Sequence, residues 1–113
     1  MERALIVDHP WIELLLSGVK PWEMRSRHTH IRGRIGLIAK GSGMILGSIE
    51  LTDSLPLQTY REMVAATAKH HIPNERLKEL ENWRYPWVME RPIRFVEPRP
   101  YKHPRGAVTW VKL

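Results

Sequence analysis

The chain has 113 residues and no cysteine, which suits a single domain with its own hydrophobic core and excludes disulfide bridges and thiolate metal sites. Eighteen Lys and Arg against twelve Asp and Glu leave a formal charge of +6, carried mainly by arginine, a side chain suited to phosphates and base edges. The first residues lead into an apolar run of only four, 4–7, which Asp8 breaks, far short of a signal peptide or a membrane span; the expectation is a cytoplasmic protein with no membrane association.

In chain order, residues 3–7 read as a short buried strand. Asp8 is placed to cap a helix over 9–17, with Pro10 in its first turn and Trp11, Leu14 and Leu15 at helical spacing. Gly18 suits the left-handed position that ends it. Pro21 disfavours helical backbone at Lys20, so the chain turns extended into a strand over 22–25, with Trp22 and Met24 on one face and Glu23 and Arg25 on the other. Residues 26–34 are a polar, basic loop. Strands over 35–39 and 44–51 flank the turn Gly41-Ser42-Gly43, and Gly47 marks a bulge or bend.

Tyr60, Met63, Val64 and Thr67 predict a helix over 59–69, broken by His70-His71-Ile72-Pro73. Asn74 then caps a second helix with the stripe Leu77, Leu80 and Trp83. Pro86, Pro92, Pro98, Pro100 and Pro104 crowd the last thirty residues, forbid long helices and predict only short strands, over 87–89 and 107–111. The expected fold is α+β but mainly β: a small barrel of five to six strands, with a short helix after the first strand and a helical insertion, in one domain over 1–113.

The most informative stretch is Gly18-x-Lys20-x-x-Glu23-x-Arg25. Glu23 and Arg25, two apart on a strand, can pair, and Lys20 joins them if the backbone bends near Pro21. Desolvation lowers a lysine's pKa and makes it a base or nucleophile near neutral pH, while a neighbouring carboxylate positions the amine and shuttles protons. The plainer reading is a surface ion cluster that fixes a turn.

Arg25, Arg27, Arg32 and Arg34, with His28 and His30 between them, form the densest basic patch: an RNA-backbone contact, or simply a solvated loop. No metal site is expected there, because no third ligand is near and the loop repels cations. Gly41-Ser42-Gly43 opens no helix and lacks the spacing of a nucleoside triphosphate loop. The five tryptophans read as core rather than stacking platforms. Tyr101 and His103, beside Arg99, Lys102 and Arg105, are candidates to stack on or hydrogen-bond to RNA.

The motif G-x-K-x-x-E-x-R, entered from a strand and a short helix, resembles the ASCH domain (activating-signal-cointegrator homology) of the PUA-like superfamily. The stretch RGRIGLIAKGSGMILGSIEL resembles its next strands and glycine hairpin, and PRPYKHPRGAVTWVKL its closing loop and last strand. The resemblance implies a PUA-like barrel whose motif lines a cleft for RNA or a modified pyrimidine nucleoside, with Lys40 and Ser42 at its mouth. Some small bacterial members hydrolyse the N4-acyl group of N4-acetylcytidine, and their catalytic lysine corresponds to Lys20. Their residue matching Glu23 is a threonine, a departure at a working position. They also use a carboxylate from the segment after the central strands, where Glu62, Glu75 and Glu79 are the candidates and Glu75, following the break at Pro73, is preferred.

The resemblance thus implies catalytic roles for Lys20, Glu23 and Glu75, with Arg25, Arg27, Arg32, Arg34, Lys40, Ser42, Tyr101 and His103 contacting the ligand. Neither metal nor cofactor is expected, and the default is a monomer. The alternatives are a non-catalytic RNA-binding module, acting in translation or co-regulation, and a ribonuclease.

Overall fold

A computed structural model describes all residues, 1–113. Six strands, β1 (Arg3–Val7), β2 (Trp22–Arg25), β3 (Gly33–Ala39), β4 (Met44–Ser54), β5 (Tyr85–Pro100) and β6 (Trp110–Lys112), form one sheet in the order β2-β5-β4-β3-β1-β6. Only β1 and β3 run parallel, with Val7 opposite Ala39. The sheet curls into a half-barrel whose edge strands, β2 and β6, share no ladder. Helix α1 (Trp11–Leu16) follows β1, and the insertion holds α2 (Tyr60–Ala65), α3 (Thr67–His70) and a single 3-10 turn, Asn74–Arg76. This is the mainly β, PUA-like architecture expected. No helix is long and apolar enough to cross a membrane.

Alternation along β1 feeds two cores. Leu5 and Val7 pack inside with Leu15, Leu37, Leu51 and Trp87, while Ala4 and Ile6 pack on the other face with Ile38, Ile45 and Val111. Inside, the Trp87 and Trp110 rings stack at 5.9 Å between centroids. A third cluster sets Trp22 and Met24 of β2 against Met63, Ile72 and Leu77, which anchors the insertion beside β2.

Several local expectations change. Helix α1 starts at Trp11 with Pro10 at its cap, and the Asp8 side chain instead accepts from the His9 amide at 2.9 Å. The first insertion helix divides at Ala66, and the second shrinks to the 3-10 turn, its predicted stripe leaving Leu77 buried but Trp83 exposed. The largest departure is β5, sixteen residues long despite four prolines. Pro92 and Pro98 fall where the β4–β5 register shifts, and Pro100 ends the strand, so three of the four rings sit where pairing is interrupted or finished. Gly47 pairs with Arg94 next to one such shift. A Cβ there would stand 2.3 Å from the Ile93 carbonyl oxygen and 2.7 Å from Leu16 Cδ2, so only glycine lets β5 and α1 approach this closely.

Candidate functional site

The turn at Gly18 (φ +83°) ends α1 and sends the chain toward β2, while the Lys20 amide bonds back to the Leu14 carbonyl at 3.2 Å. Lys20 is thereby pinned between α1 and the insertion. Its side chain is 1% exposed; Nζ donates to the His70 carbonyl at 2.6 Å and lies 5.0 Å from the centre of the Trp11 indole. The same amine stands 3.9 Å from Glu23 Oε1. Glu23 Oε2 accepts from Arg25 Nε at 3.1 Å and from Nη2 at 2.8 Å. Arg25 Nη2 also donates to the Ile6 carbonyl at 2.9 Å, and Nη1 makes no hydrogen bond to the protein. Lys20, Glu23 and Arg25 therefore converge, Lys20 arriving from the turn after α1 and the other two from β2.

Burial outweighs the nearby carboxylate at Lys20. Desolvation pushes the amine from the ordinary 10.5 down to about 8, Glu23 opposes the fall, and Arg25 adds to it. Beneath it, His70 is fully buried, its ring Nε2 bonded to the Met63 carbonyl at 2.7 Å and its Nδ1 accepting the Ile72 amide at 2.9 Å. Nδ1 is thus the acceptor and Nε2 the protonated nitrogen, and desolvation holds this imidazole's pKa below the usual histidine value. A neutral, doubly bonded histidine thereby fixes the carbonyl that holds Lys20.

Lys20, Glu23 and Arg25 line a cavity of about 340 Å³ between the barrel end and the insertion. Trp11, Ile72, Arg76, Leu80 and Trp83 line it from α1 and the insertion; Ile6, Asp8, Lys40 and Val108 line it from the barrel. Trp83 is 42% exposed, and Arg76 lies 5.7 Å from the Trp11 ring centre. Trp11 packs against the core as expected and also forms cavity wall, whereas the expectation of a core position fails for Trp83, which is exposed on the cavity. Lys40, expected at the cleft mouth, lines the cavity; Asp8 was not expected there, and it directly follows Val7, which pairs with the Ala39 that precedes Lys40.

The other expected residues lie elsewhere. None of Glu62, Glu75 and Glu79 lines the cavity. Glu62 closes a capping box with Thr59, whose backbone and side-chain bonds lower its pKa; Glu79 lies 3.5 Å from Arg76; Glu75 is exposed on the 3-10 turn. The turn directs Arg76 inward in place of its neighbour. Arg34, second in β3, stands six residues before Lys40, about 20 Å away along the strand, so Arg34 and the cavity sit at opposite ends of β3. Arg25 of the same basic patch, by contrast, lines the cavity.

Arg34 donates to Ser48 and the Arg91 carbonyl, each at 3.0 Å, and Arg32 donates to the Thr29 carbonyl at 2.9 Å and the Ile31 carbonyl at 2.8 Å. Arg27 is exposed, and its carbonyl accepts from Trp87 Nε1 at 2.9 Å. Ser42 is spent on the hairpin, donating to the Ala39 carbonyl at 2.6 Å. Tyr101 Oη and His103 Nδ1 bond each other at 2.7 Å in the loop that carries Val108 to the cavity, and neither ring lines it.

Comparison with known proteins bears on the fold and the family. The chain is similar over 99% of its length to the crystal structure of ASCH from Zymomonas mobilis, at TM-score 0.76 and 12% identity, covering 87% of that chain. A tyrosine-to-phenylalanine variant of the Zymomonas mobilis protein gives TM-score 0.75 at 12% identity, covering 99% of this chain and 89% of that one. No curated protein matches the sequence. The model of the ASCH domain family matches residues 5–99, a span that holds the whole Lys20–Glu23–Arg25 motif, all of β2, β3 and β4 and most of β1 and β5, and on that match the chain belongs to the ASCH domain family.

Proposed function

We propose that the protein takes a pyrimidine base, from RNA or from a modified nucleoside, into the cavity above Lys20, Glu23 and Arg25. The observation that carries this reading is one cavity with a buried charged floor and two indoles among its walls. Its volume of about 340 Å³ lies at the small end of ligand pockets, a size for a base rather than a large cofactor. Stacking on an indole contributes about 1–3 kcal/mol per base. Glu23 Oε1 is free to accept from an exocyclic amine such as cytosine N4, and Arg25 Nη1 is free to donate to a ring carbonyl.

The lowered pKa of Lys20 favours a catalytic form of this reading, hydrolysis of an N4-acyl group. The neutral amine accepts a proton from water as the hydroxyl oxygen bonds to the acyl carbon. In this form Arg25 Nη1 donates to the acyl oxygen that gains the charge rather than to a ring carbonyl. Collapse breaks the carbon–N4 bond, and the Lys20 ammonium returns its proton to N4, directly or through Glu23, releasing cytidine and the free acid.

The test is incubation with N4-acetylcytidine, cytidine release being followed by chromatography for the wild type and Lys20→Ala. Release by the wild type alone supports hydrolysis. Full release by Lys20→Ala overturns it, and binding without release leaves a non-catalytic RNA-binding module. Absence of binding to nucleosides and single-stranded RNA alike overturns the base-pocket reading itself.

A further inference from the structure

The cavity's cations fall into two groups. Those on the floor are buried and held by short contacts, Arg25 by Glu23 at 2.8 Å and the Ile6 carbonyl at 2.9 Å, Lys20 by the His70 carbonyl at 2.6 Å with Glu23 at 3.9 Å. Those at the mouth are loosely held. Lys40 is 67% exposed with Asp8 at 4.0 Å, and Arg76 is 42% exposed with Glu79 at 3.5 Å. Neither pair has the short, charge-assisted geometry of a strong ion pair, and exposed pairs of this kind contribute little.

The two mouth cations also come from different walls, Lys40 from the end of β3 and Arg76 from the insertion. A base seated on the floor directs its sugar, and whatever the sugar carries, toward that mouth. A bare ribose gives these cations no charge to meet, whereas a phosphate supplies one that outcompetes single exposed carboxylates at these distances.

We infer that the ligand is a phosphorylated nucleoside, its phosphate held by Lys40 and Arg76, whether it arrives as a free nucleotide or as a residue of single-stranded RNA. The inference rests on the base-pocket reading and adds the ligand's charge. Arg76 is then a residue with two states, over Trp11 when the cavity is empty and on phosphate when it is filled.

Binding of cytidine, cytidine 3′-monophosphate, cytidine 5′-monophosphate and a trinucleotide of cytidine is measured by calorimetry at low salt. The expected result is that at least one phosphorylated probe binds about tenfold tighter than cytidine, the gain of two exposed charge contacts. In Lys40→Gln and in Arg76→Gln, each checked for fold by circular dichroism, the ratio of nucleotide to nucleoside affinity falls toward one.

A mononucleotide that binds at least as tightly as the trinucleotide identifies a free nucleotide, and a trinucleotide that binds much tighter identifies RNA; either supports the inference. Equal affinity for cytidine and every phosphorylated probe overturns it while leaving the base pocket standing. An unchanged ratio in both variants overturns the assignment to Lys40 and Arg76. Binding by none of the four overturns the base pocket and the inference together.

Discussion

Lys20→Met removes the buried amine while keeping much of its bulk, and it exposes how much free energy the fold commits to holding a charge there. The fall from 10.5 to about 8, at about 1.4 kcal/mol for each tenfold change in proton affinity, corresponds to about 3 kcal/mol. Below pH 8 Lys20 is protonated in both folded and unfolded chains, and the folded protein bears the full cost of burial. Between pH 8 and 10.5 the folded protein has released the proton and the unfolded chain still holds it, so stability rises with pH. Above 10.5 both are neutral and the gain is complete.

Wild type and Lys20→Met are compared by urea unfolding at intervals from pH 7 to 10.5, with linear extrapolation at each. Other groups that titrate in this window are common to both proteins and cancel in the difference. The variant also loses the bond to the His70 carbonyl, whose weakening when the amine gives up its proton is part of the same titration of Lys20. Wild type is expected to gain about 3 kcal/mol on the variant across the window. A difference that stays flat refutes the reasoning, because an amine with an ordinary pKa is not desolvated as the structure places it.

Glu23→Gln leaves the Arg25 guanidinium and the Lys20 ammonium facing each other without their carboxylate, and a loss of about 3 kcal/mol is expected in the same unfolding assay. It also removes the charge that holds the Lys20 pKa up, so any pH-dependent turnover should shift to lower pH. Turnover of N4-acetylcytidine by the wild type is expected to climb with pH and level off above about 8, as the neutral amine becomes dominant. Gly47→Ala sets a methyl group against the Ile93 carbonyl and Leu16, and should cost about 2 kcal/mol or more, read as a lowered midpoint of thermal unfolding. Thr59→Ala opens the capping box of α2 and should cost about 1 kcal/mol.

The parts of the fold legible in the sequence are those in which one local rule acts alone. The alternation of Trp22, Glu23, Met24 and Arg25 separates core from site on β2, and Gly41-Ser42-Gly43 forms the β3–β4 hairpin. Strand β5 was illegible because proline is read as a strand breaker until the partner's register is known; here the shifts opposite β4 accommodate it. The insertion was half legible: Met63 and Leu77 are buried as their spacing predicts, but Ala66 and the left-handed His71 divide the helices.

At the site, Lys20, Glu23 and Arg25 are close in sequence, and their convergence follows from a turn and a short strand. Arg76 and Trp83 reach the cavity only through packing of the insertion against β2, a long-range arrangement that no local pattern encodes. Composition drew attention to Arg32 and Arg34, whose density near the motif hides the fact that they flank the start of β3, at the end of that strand away from the cavity. A polar cluster is legible by count, whereas its partners are not: Arg34 is satisfied by Ser48 and the Arg91 carbonyl, distant in sequence.

Arg25 bonds the Ile6 carbonyl from across the opening between β2 and β1, two strands that share no ladder. One guanidinium therefore serves as both the floor of the cavity and the clasp of the half-barrel. A ligand content with Nη1 leaves the clasp fastened, while one that draws Nη2 away must let the seam breathe. The Ile6 amide, bonded to the Thr109 carbonyl at 2.8 Å on the same stretch of β1, stands where that difference would register as faster or slower hydrogen exchange. Occupancy of the cavity is thus linked to the tightness of the fold through a single side chain.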